Sequence, residues 1–361
     1  MSNSDLEVGS WKLEVGSVYR AQSPREESTR SVHAERPTSN FQPLASIIIV
    51  NWNGAPHLPA CLNALRAQTY RRFEVIVADN ASRDESLELL ARDYPEVKVV
   101  ALPENRGFTG GSNAGIRAAQ GEFIVLLNND TAVDPRWLEE ILAAFERHPE
   151  AGLVASKMKL FDRRDTFHTA GDFYRLDGIP GNRGVWEIDQ GQYDREEVVF
   201  SACGGSAAYR KSMLDQIGLL DEDFFYSCED VDLAWRAQLA GWQCVYAPRA
   251  VVYHKLSATG GGATASFYDG RNFLYVLAKD YPSSLWKKYR GAIIRQQWRL
   301  FAEALRAWRG AAARARMRGM WSGLIHLPGM LRKRRAVQAM RKVDDAYLLS
   351  ILRKPPGPVE R

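Results

Sequence analysis

Three short polar clusters, each directly following an apolar run, are the first candidates for chemistry: Asn51-Trp52-Asn53, Asp79-Asn80 and Asn128-Asn129-Asp130. Amide and carboxylate groups hydrogen-bond a nucleobase or ribose, and a carboxylate is also a hard ligand for a divalent cation. Trp52 offers a wide π face on which a base would stack. The segment Asn105-Arg-Gly-Phe-Thr-Gly-Gly-Ser-Asn-Ala-Gly115 combines an arginine with glycines that run into a helix. Backbone amides at a helix N-terminus beside a positive charge suit a diphosphate. The dinucleotide fingerprint GxGxxG is absent, because the first strand leads into Asn51-Trp-Asn-Gly54. Farther on, Glu229-Asp230 could supply a general base, and His254 an imidazole for a metal. Plainer readings stand beside these. Asp79-Asn80 could make an Asx turn, and Asn128–Asp130 a strand-to-loop turn. Ser227-Cys-Glu-Asp230 has the spacing of a capping box, and a lone histidine is often structural.

The positioning elements follow from periodicity. Ser46–Val50, Phe73–Ala78, Val97–Ala101 and Phe123–Leu127 are apolar or β-branched runs, as strands covered on both faces should be. Between them, 57–67, 84–94 and 107–120 have helical spacing. This alternation predicts a parallel sheet wound by right-handed crossovers, and in such a sheet ligands sit beyond the carboxyl ends of the strands. All three polar clusters fall at those ends. Beyond Asp130 the spacing predicts a helix over 135–147 with Asp134 as its N-cap, a strand over 151–156 and a meander over 160–200. A helix over 229–239 follows, then a strand over 242–246, with His254 beyond it. The triple glycine Gly260–Gly262 reads as a loop that could close over a ligand.

Composition bounds the class. The 361 residues are 45% hydrophobic and 25% charged, which excludes a disordered, collagen-like or disulfide-stapled chain. Cys61, Cys203, Cys228 and Cys244 are scattered without a CxxC pair and read as buried thiols in a reducing compartment. The longest apolar runs fall far short of the ~20 residues of a membrane span, and the opening residues lack a secretory pattern. A cytoplasmic protein is expected. The net charge of +5 is unevenly spread: residues 284–342 carry sixteen Lys and Arg against the single acid Glu303. A basic tail on an acidic body points to an anionic membrane surface or another polyanion. Ile294, Trp298, Phe301, Leu305 and Trp308 share one helical face of that tail, flanked by arginines. Such a face either lies in a membrane interface, peripheral on the cytoplasmic side, or packs on the catalytic domain or a partner subunit, which leaves a homo-oligomer open. No nucleic-acid recognition motif accompanies the charge.

The segments IIIVNWNG (47–54), VADNAS (77–82), ENRGFTGGSNAG (104–115), LLNND (126–130) and FFYSCEDVDLAWR (224–236) occur together in the order and spacing of a known family. Over residues 45–275 the chain resembles the family-2 inverting glycosyltransferases, and within them the rhamnosyltransferase-like branch. The resemblance implies an α/β protein of GT-A fold, with a mostly parallel central sheet and flanking helices. Residues 43–275 would form the catalytic domain, 1–42 a disordered polar arm and 276–361 a basic helical tail. It implies a nucleoside-diphosphate sugar donor, dTDP-rhamnose or a UDP-sugar, held by Asn51, Trp52, Asp79, Asn80, Arg106, Gly107, Gly111, Asn113 and Asn129. A divalent cation, Mg2+ or Mn2+, would be held by Asp130, with His254 as a further ligand. The family's DxD begins here with Asn128, so Asp130 is its only acid. Asp230 would be the base, with Glu229 beside it, and the acceptor a glycan or lipid-linked sugar of cell-surface polysaccharide biosynthesis. A sugar nucleotidyltransferase should carry a basic glycine-rich loop after the first strand, which Asn51–Ala60 lacks. A silent scaffold would have no need of Asp130 and Asp230.

Overall fold

The computed structural model describes residues 43–256 and 261–355. The arm expected over 1–42, and residue 260 of the glycine loop, lie outside the described residues.

The first half alternates as the periodicity predicts. β1 (Ala45–Asn51), α1 (Leu58–Arg66), β2 (Phe73–Asp79), α2 (Ser86–Asp93), β3 (Lys98–Ala101), α3 (Gly107–Ala118) and β4 (Phe123–Leu127) follow in order. β1 lies between β2 and β4, parallel to both, and β3 extends the parallel run beyond β2. Burial on both faces explains the unbroken apolar run of β1. Ile47 and Ile49 join a core with Leu58, Leu62, Trp137 and Ile141, while Ile48 points into the opposite core with Ile116 and Trp235. Register brings Asn51 opposite Asp79, so the polar clusters meet at one sheet edge.

The second half makes the sheet mixed. β5 (Thr131–Val133), α4 (Trp137–Arg147), β6 (Ala151–Leu160), β7 (Phe167–Thr169), β8 (Asp172–Tyr174), β9 (Pro180–Asn182), β10 (Glu197–Val199) and β11 (Ser206–Arg210) come next. α5 (Lys211–Ile217), α6 (Glu229–Leu239) and β12 (Gln243–His254) complete the sheet region. The order is β10-β12-β6-β11-β4-β1-β2-β3, with β11 antiparallel to both β4 and β6. Two sequence expectations shift. α4 starts at Trp137 rather than Pro135, with Asp134 Oδ1 accepting from the Arg136 amide at 3.0 Å. β12 runs on to residue 254, so His254 ends the strand instead of following it; a register shift between Ala247 and Val251 lets its last residues pair with β5 as well as β6. The four cysteines are free, three of them buried.

α7 (Gly262–Lys279), α8 (Ser283–Arg306), α9 (Ala311–Ala339) and α10 (Asp345–Ile351) follow. The boundary expected at residue 275 falls inside α7. α9 crosses α7 at backbone contact: a Cβ on Gly319 would lie 1.9 Å from the Phe267 carbonyl oxygen. Leu285, Ile293, Met330, Val337, Leu348 and Leu352 are buried in the same core as Tyr174 and Trp235. Tyr347 Oη donates to Gln238 Oε1 at 2.6 Å, and the Arg353 amide to the Tyr174 carbonyl at 2.9 Å. One side of the tail is therefore domain core. The face read from the sequence is the other one, since Ile294, Trp298, Leu305 and Trp308 are all about half exposed or more.

Candidate active site

A cleft of about 570 Å³ opens at the carboxyl edge of β1 and β4, walled by the loops before β11 and α6 and by the first half of α7. Trp52 stands at its lip, half exposed, where its ring is free to stack on a base. Asn80 lines the wall and clamps the glycine-rich turn: its Nδ2 donates to the Gly107 carbonyl at 2.8 Å and its Oδ1 accepts from the Arg106 amide at 3.1 Å. Gly107 has φ +70, and a Cβ there would meet the Phe225 carbonyl at 2.4 Å, so only glycine lets this turn approach the Phe225 loop.

Several residues assigned to donor contact stand behind the cleft instead. Asn51 is fully buried, donating to Asp79 Oδ1 at 3.0 Å and accepting from Asn129 Nδ2 at 2.9 Å. Asp79 Oδ2 accepts from the Ser82 amide at 2.9 Å, so this carboxylate ties β2 to the following turn. Gly111 packs on Val50. Asn113 bonds the Leu220 backbone at 2.9 and 3.1 Å, and Arg106 pairs with Glu222 at 2.6 Å; both fasten α3 to the 220–222 turn. In this structure these residues bond or pack on the protein and do not line the cleft, because a type and a spacing do not say whether a polar side chain faces ligand or neighbour. Asn129, although it bonds Asn51, lines the cleft along with Asp130.

Asp130 and His254 meet because β5 and β12 pair antiparallel with Thr131 opposite His254. His254 Nε2 lies 3.1 Å from Asp130 Oδ1 and 3.4 Å from Asn128 Nδ2. Asp130 Oδ1 is buried and receives no hydrogen bond of good geometry. An unsatisfied carboxylate oxygen beside an imidazole nitrogen fits a divalent cation, with the remaining positions open to ligand oxygens. On its far side His254 Nδ1 is 3.1 Å from His168 Nδ1. Burial, and then the charge of His254, push His168 down to about 3, so that ring stays neutral.

Glu229 and Asp230 open α6. The capping box suggested by spacing is not formed: Cys228 is the N-cap residue, and Ser227 Oγ donates to Asp269 Oδ1 at 2.7 Å. Phe225, Ser227 and Cys228 all have positive φ, a conformation that costs non-glycine residues ~1–3 kcal/mol each and clusters at functional sites. α7 holds them there. Asn272 Nδ2 lies within reach of the Phe224, Tyr226 and Ser227 carbonyls at 3.1, 2.9 and 2.6 Å, and Arg271 bonds those of Asp223 and Phe224. The twisted turn aims Asp230 inward, where its oxygens accept from the Gly204 and Val231 amides at 2.8 Å each.

The two acids differ in environment. Burial raises both, and the neighbouring Asp230 charge raises Glu229 further, to about 8. The amides of Gly204 and Val231 hold Asp230 back, whereas Glu229 Oε2 has no partner. Hydrogen bonds therefore favour the ionised form of Asp230, while Glu229 lacks that support. Asp172, also in the cleft, is pushed up to about 8 by burial and then by Asp230. Asp172, Cys203 and Asp230 offer atoms within 4.8 Å of one another, a second potential metal cluster; burial drives its thiol well up, which disfavours the thiolate a metal requires. His168, Asp172, Ser227, Asp269, Arg271 and Asn272 were missed from sequence, as each lies outside the strand-end and paired-acid patterns.

The fold is the GT-A fold seen in solved glycosyltransferases. GalNAc-T7 with UDP, GalNAc and Mn2+ superposes with a TM-score of 0.56 over 70% of this chain and 52% of its own, at 14% identity. The mannosyltransferase PcManGT from Pyrobaculum calidifontis, in complex with GDP-Man and Mn2+, gives 0.50 over 86% of each chain at 17% identity. Residues 46–218, just under half of the chain, match glycosyl transferase family 2, so this part of the chain is similar to that family. An N-acetylglucosaminyl-diphospho-decaprenol L-rhamnosyltransferase of Mycobacterium tuberculosis is 27% identical over 264 residues, 67% of this chain and 86% of that protein.

Proposed function

We propose that the enzyme is a metal-dependent, inverting transferase that moves a sugar, rhamnose first among candidates, from a nucleoside diphosphate to a lipid-linked or glycan acceptor of cell-surface polysaccharide. One relationship carries this reading. Gly204 and Gly205 are consecutive; a Cβ on Gly204 would lie 3.1 Å from Glu229 Oε1 and 3.4 Å from Asp230 Oδ2, and one on Gly205 3.3 Å from Asn128 Nδ2 and 3.6 Å from the His254 ring. The base and the cation pair therefore flank two adjacent residues, about 3.8 Å apart at Cα, as transfer between a bound diphosphate and an incoming hydroxyl requires.

Trp52 stacks the base, and the α3 N-terminus at Gly107 faces the diphosphate. Asp130 and His254 would hold the cation, which neutralises charge on the departing diphosphate when bound. Asp230 takes the proton of the acceptor hydroxyl as it attacks the anomeric carbon, which inverts that centre. The donor is a dTDP- or UDP-sugar in this reading, and the similarity to a rhamnosyltransferase supports the first. No helix among the described residues is long and apolar enough to cross a membrane; the basic tail supports a peripheral place on the cytoplasmic face of an anionic membrane.

The test is turnover of a nucleotide-sugar panel with Mg2+ or Mn2+, and again with chelator. Metal-dependent release of nucleoside diphosphate is expected. Release of pyrophosphate would instead indicate a nucleotidyltransferase, and turnover indifferent to chelator would remove the cation from the mechanism.

A further inference from the structure

A second cavity, of about 820 Å³, lies between the end of α7 and the helices α8 and α9. Its wall is almost wholly apolar, with Leu277 from α7, Ile294 and Trp298 from α8, and Trp321, Leu324 and Leu331 from α9. Part of this wall faces solvent: Trp298 is 65% and Trp321 67% exposed. Contiguous exposed apolar surface of this kind marks a place where something binds.

Two relationships select the occupant. The first is continuity along α7. Thr264, Tyr268 and Phe273 line the catalytic cleft, and the very next residue, Leu274, lines the groove. The helix has 18 residues, about 27 Å at 1.5 Å each, so a ligand of about that length would reach from groove to cleft. The second is charge. Two of the three helices bearing the groove, α8 and α9, lie in the stretch with sixteen bases and one acid, and Arg334 stands in the wall itself. A second copy of this chain would set the same positive field against itself. A hydrocarbon chain ending in phosphate suits both the apolar floor and the basic surroundings.

We infer that the α7–α8–α9 groove binds the hydrocarbon chain of a lipid-phosphate-linked acceptor, placing the sugar at its phosphate end toward Asp230. The inference rests on the transferase reading and gives that reading its acceptor class. Chain binding here is a property of a single lipid molecule in a pocket, separate from adsorption of the tail to a bilayer.

The experiment uses the full chain and a bromine-bearing dodecyl phosphate kept below its micellar concentration. Trp286, Trp298 and Trp321 line the groove, so a bromine entering it quenches their fluorescence. Saturable quenching is expected for the native sequence. At least tenfold weaker binding is expected for Ile294→Glu and for Leu324→Glu, exposed positions on different helices whose change leaves the core intact; Leu331→Ser provides a milder third variant. Absent quenching, quenching unchanged in the variants, displacement by inorganic phosphate alone, or quenching only by anionic vesicles would each overturn the groove. Metal-dependent binding of nucleotide-sugar is measured by calorimetry on the same samples. Its persistence alongside failed quenching rejects the groove alone, whereas its absence rejects the transferase reading.

Discussion

His168 and His254 meet Nδ1 to Nδ1 at 3.1 Å, so one ring must donate and the other accept. For His254 Nε2 to offer a lone pair to a cation held beside Asp130, its Nδ1 must carry the proton and His168 must accept it. Burial keeps His168 neutral and so able to accept. His168 would then fix the tautomer of the proposed metal ligand His254, a role whose loss typically costs 10–100-fold in metal affinity. His168→Phe is expected to weaken Mn2+ binding by about that factor, read by calorimetric titration in the presence of nucleoside diphosphate. An unchanged affinity would return the pair to a structural contact.

Asp230→Asn keeps an oxygen for the Gly204 or Val231 amide but removes the base. Donor binding should persist while transfer falls by ~10²–10⁴ or more. Because burial raises Asp230 above the usual carboxylate range, transfer in the native enzyme should decline as pH falls, starting above the pH where an exposed aspartate would protonate. A rate profile with its acid limb near pH 4 would contradict that environment.

Asp172 gives a stability test with a defined sign. Its carboxyl is pushed up to about 8 in the folded state from 3.8, so folding favours the protonated form. Its stabilisation is complete below the unfolded value and is lost as pH rises toward 8. Asp172→Asn, which can still accept from Thr169 and Asn182, should raise the melting temperature more at pH 9 than at pH 5. Glu229, raised by the same causes, leaves a residual slope in the variant.

The tail is expected to stabilise the catalytic region. Lys333 of α9 pairs with Asp221 at 2.5 Å and Asp223 at 2.7 Å, and Lys279 joins Asp221 to Asp232 on the helix that bears Asp230. Leu348 is fully buried, and Leu348→Ala should cost about 2–5 kcal/mol, visible as a lower urea midpoint. Ending the chain near Asp280 should therefore unfold or loosen the donor site, although every donor motif lies upstream.

Vesicle binding separates the exposed face from the packed one. The full chain should sediment with anionic vesicles at low salt and be released as salt rises, each base at the surface being worth ~1 kcal/mol before screening. Trp298→Glu and Trp308→Glu should reduce sedimentation without lowering the melting temperature, since both side chains are exposed. Equal binding to neutral vesicles would remove the electrostatic component.

What the sequence by itself determined is local. The β-branched run at Ser46–Val50 can only be a strand covered on both faces, and the polar residues after it and after Leu127 must then lie at the sheet's carboxyl edge. The paired acids at 229–230 and the single apolar face of the basic tail were equally legible, because each depends on neighbours in the chain. The tertiary structure decided what depends on distant partners. Antiparallel pairing of β5 with β12 sets His254 on Asp130 across more than a hundred residues, and no spacing rule encodes that register. Asn272, Arg271 and Asp269 on α7 hold the strained turn before Asp230, yet in sequence they are ordinary polar residues of a helix. Asn51, Asp79 and Asn113 have the types expected of donor ligands but spend their hydrogen bonds on the protein. The tail divides in the same way: amphipathic spacing gives an apolar face, and only packing shows that Ile293 enters the core while Ile294, the next residue, stays outside.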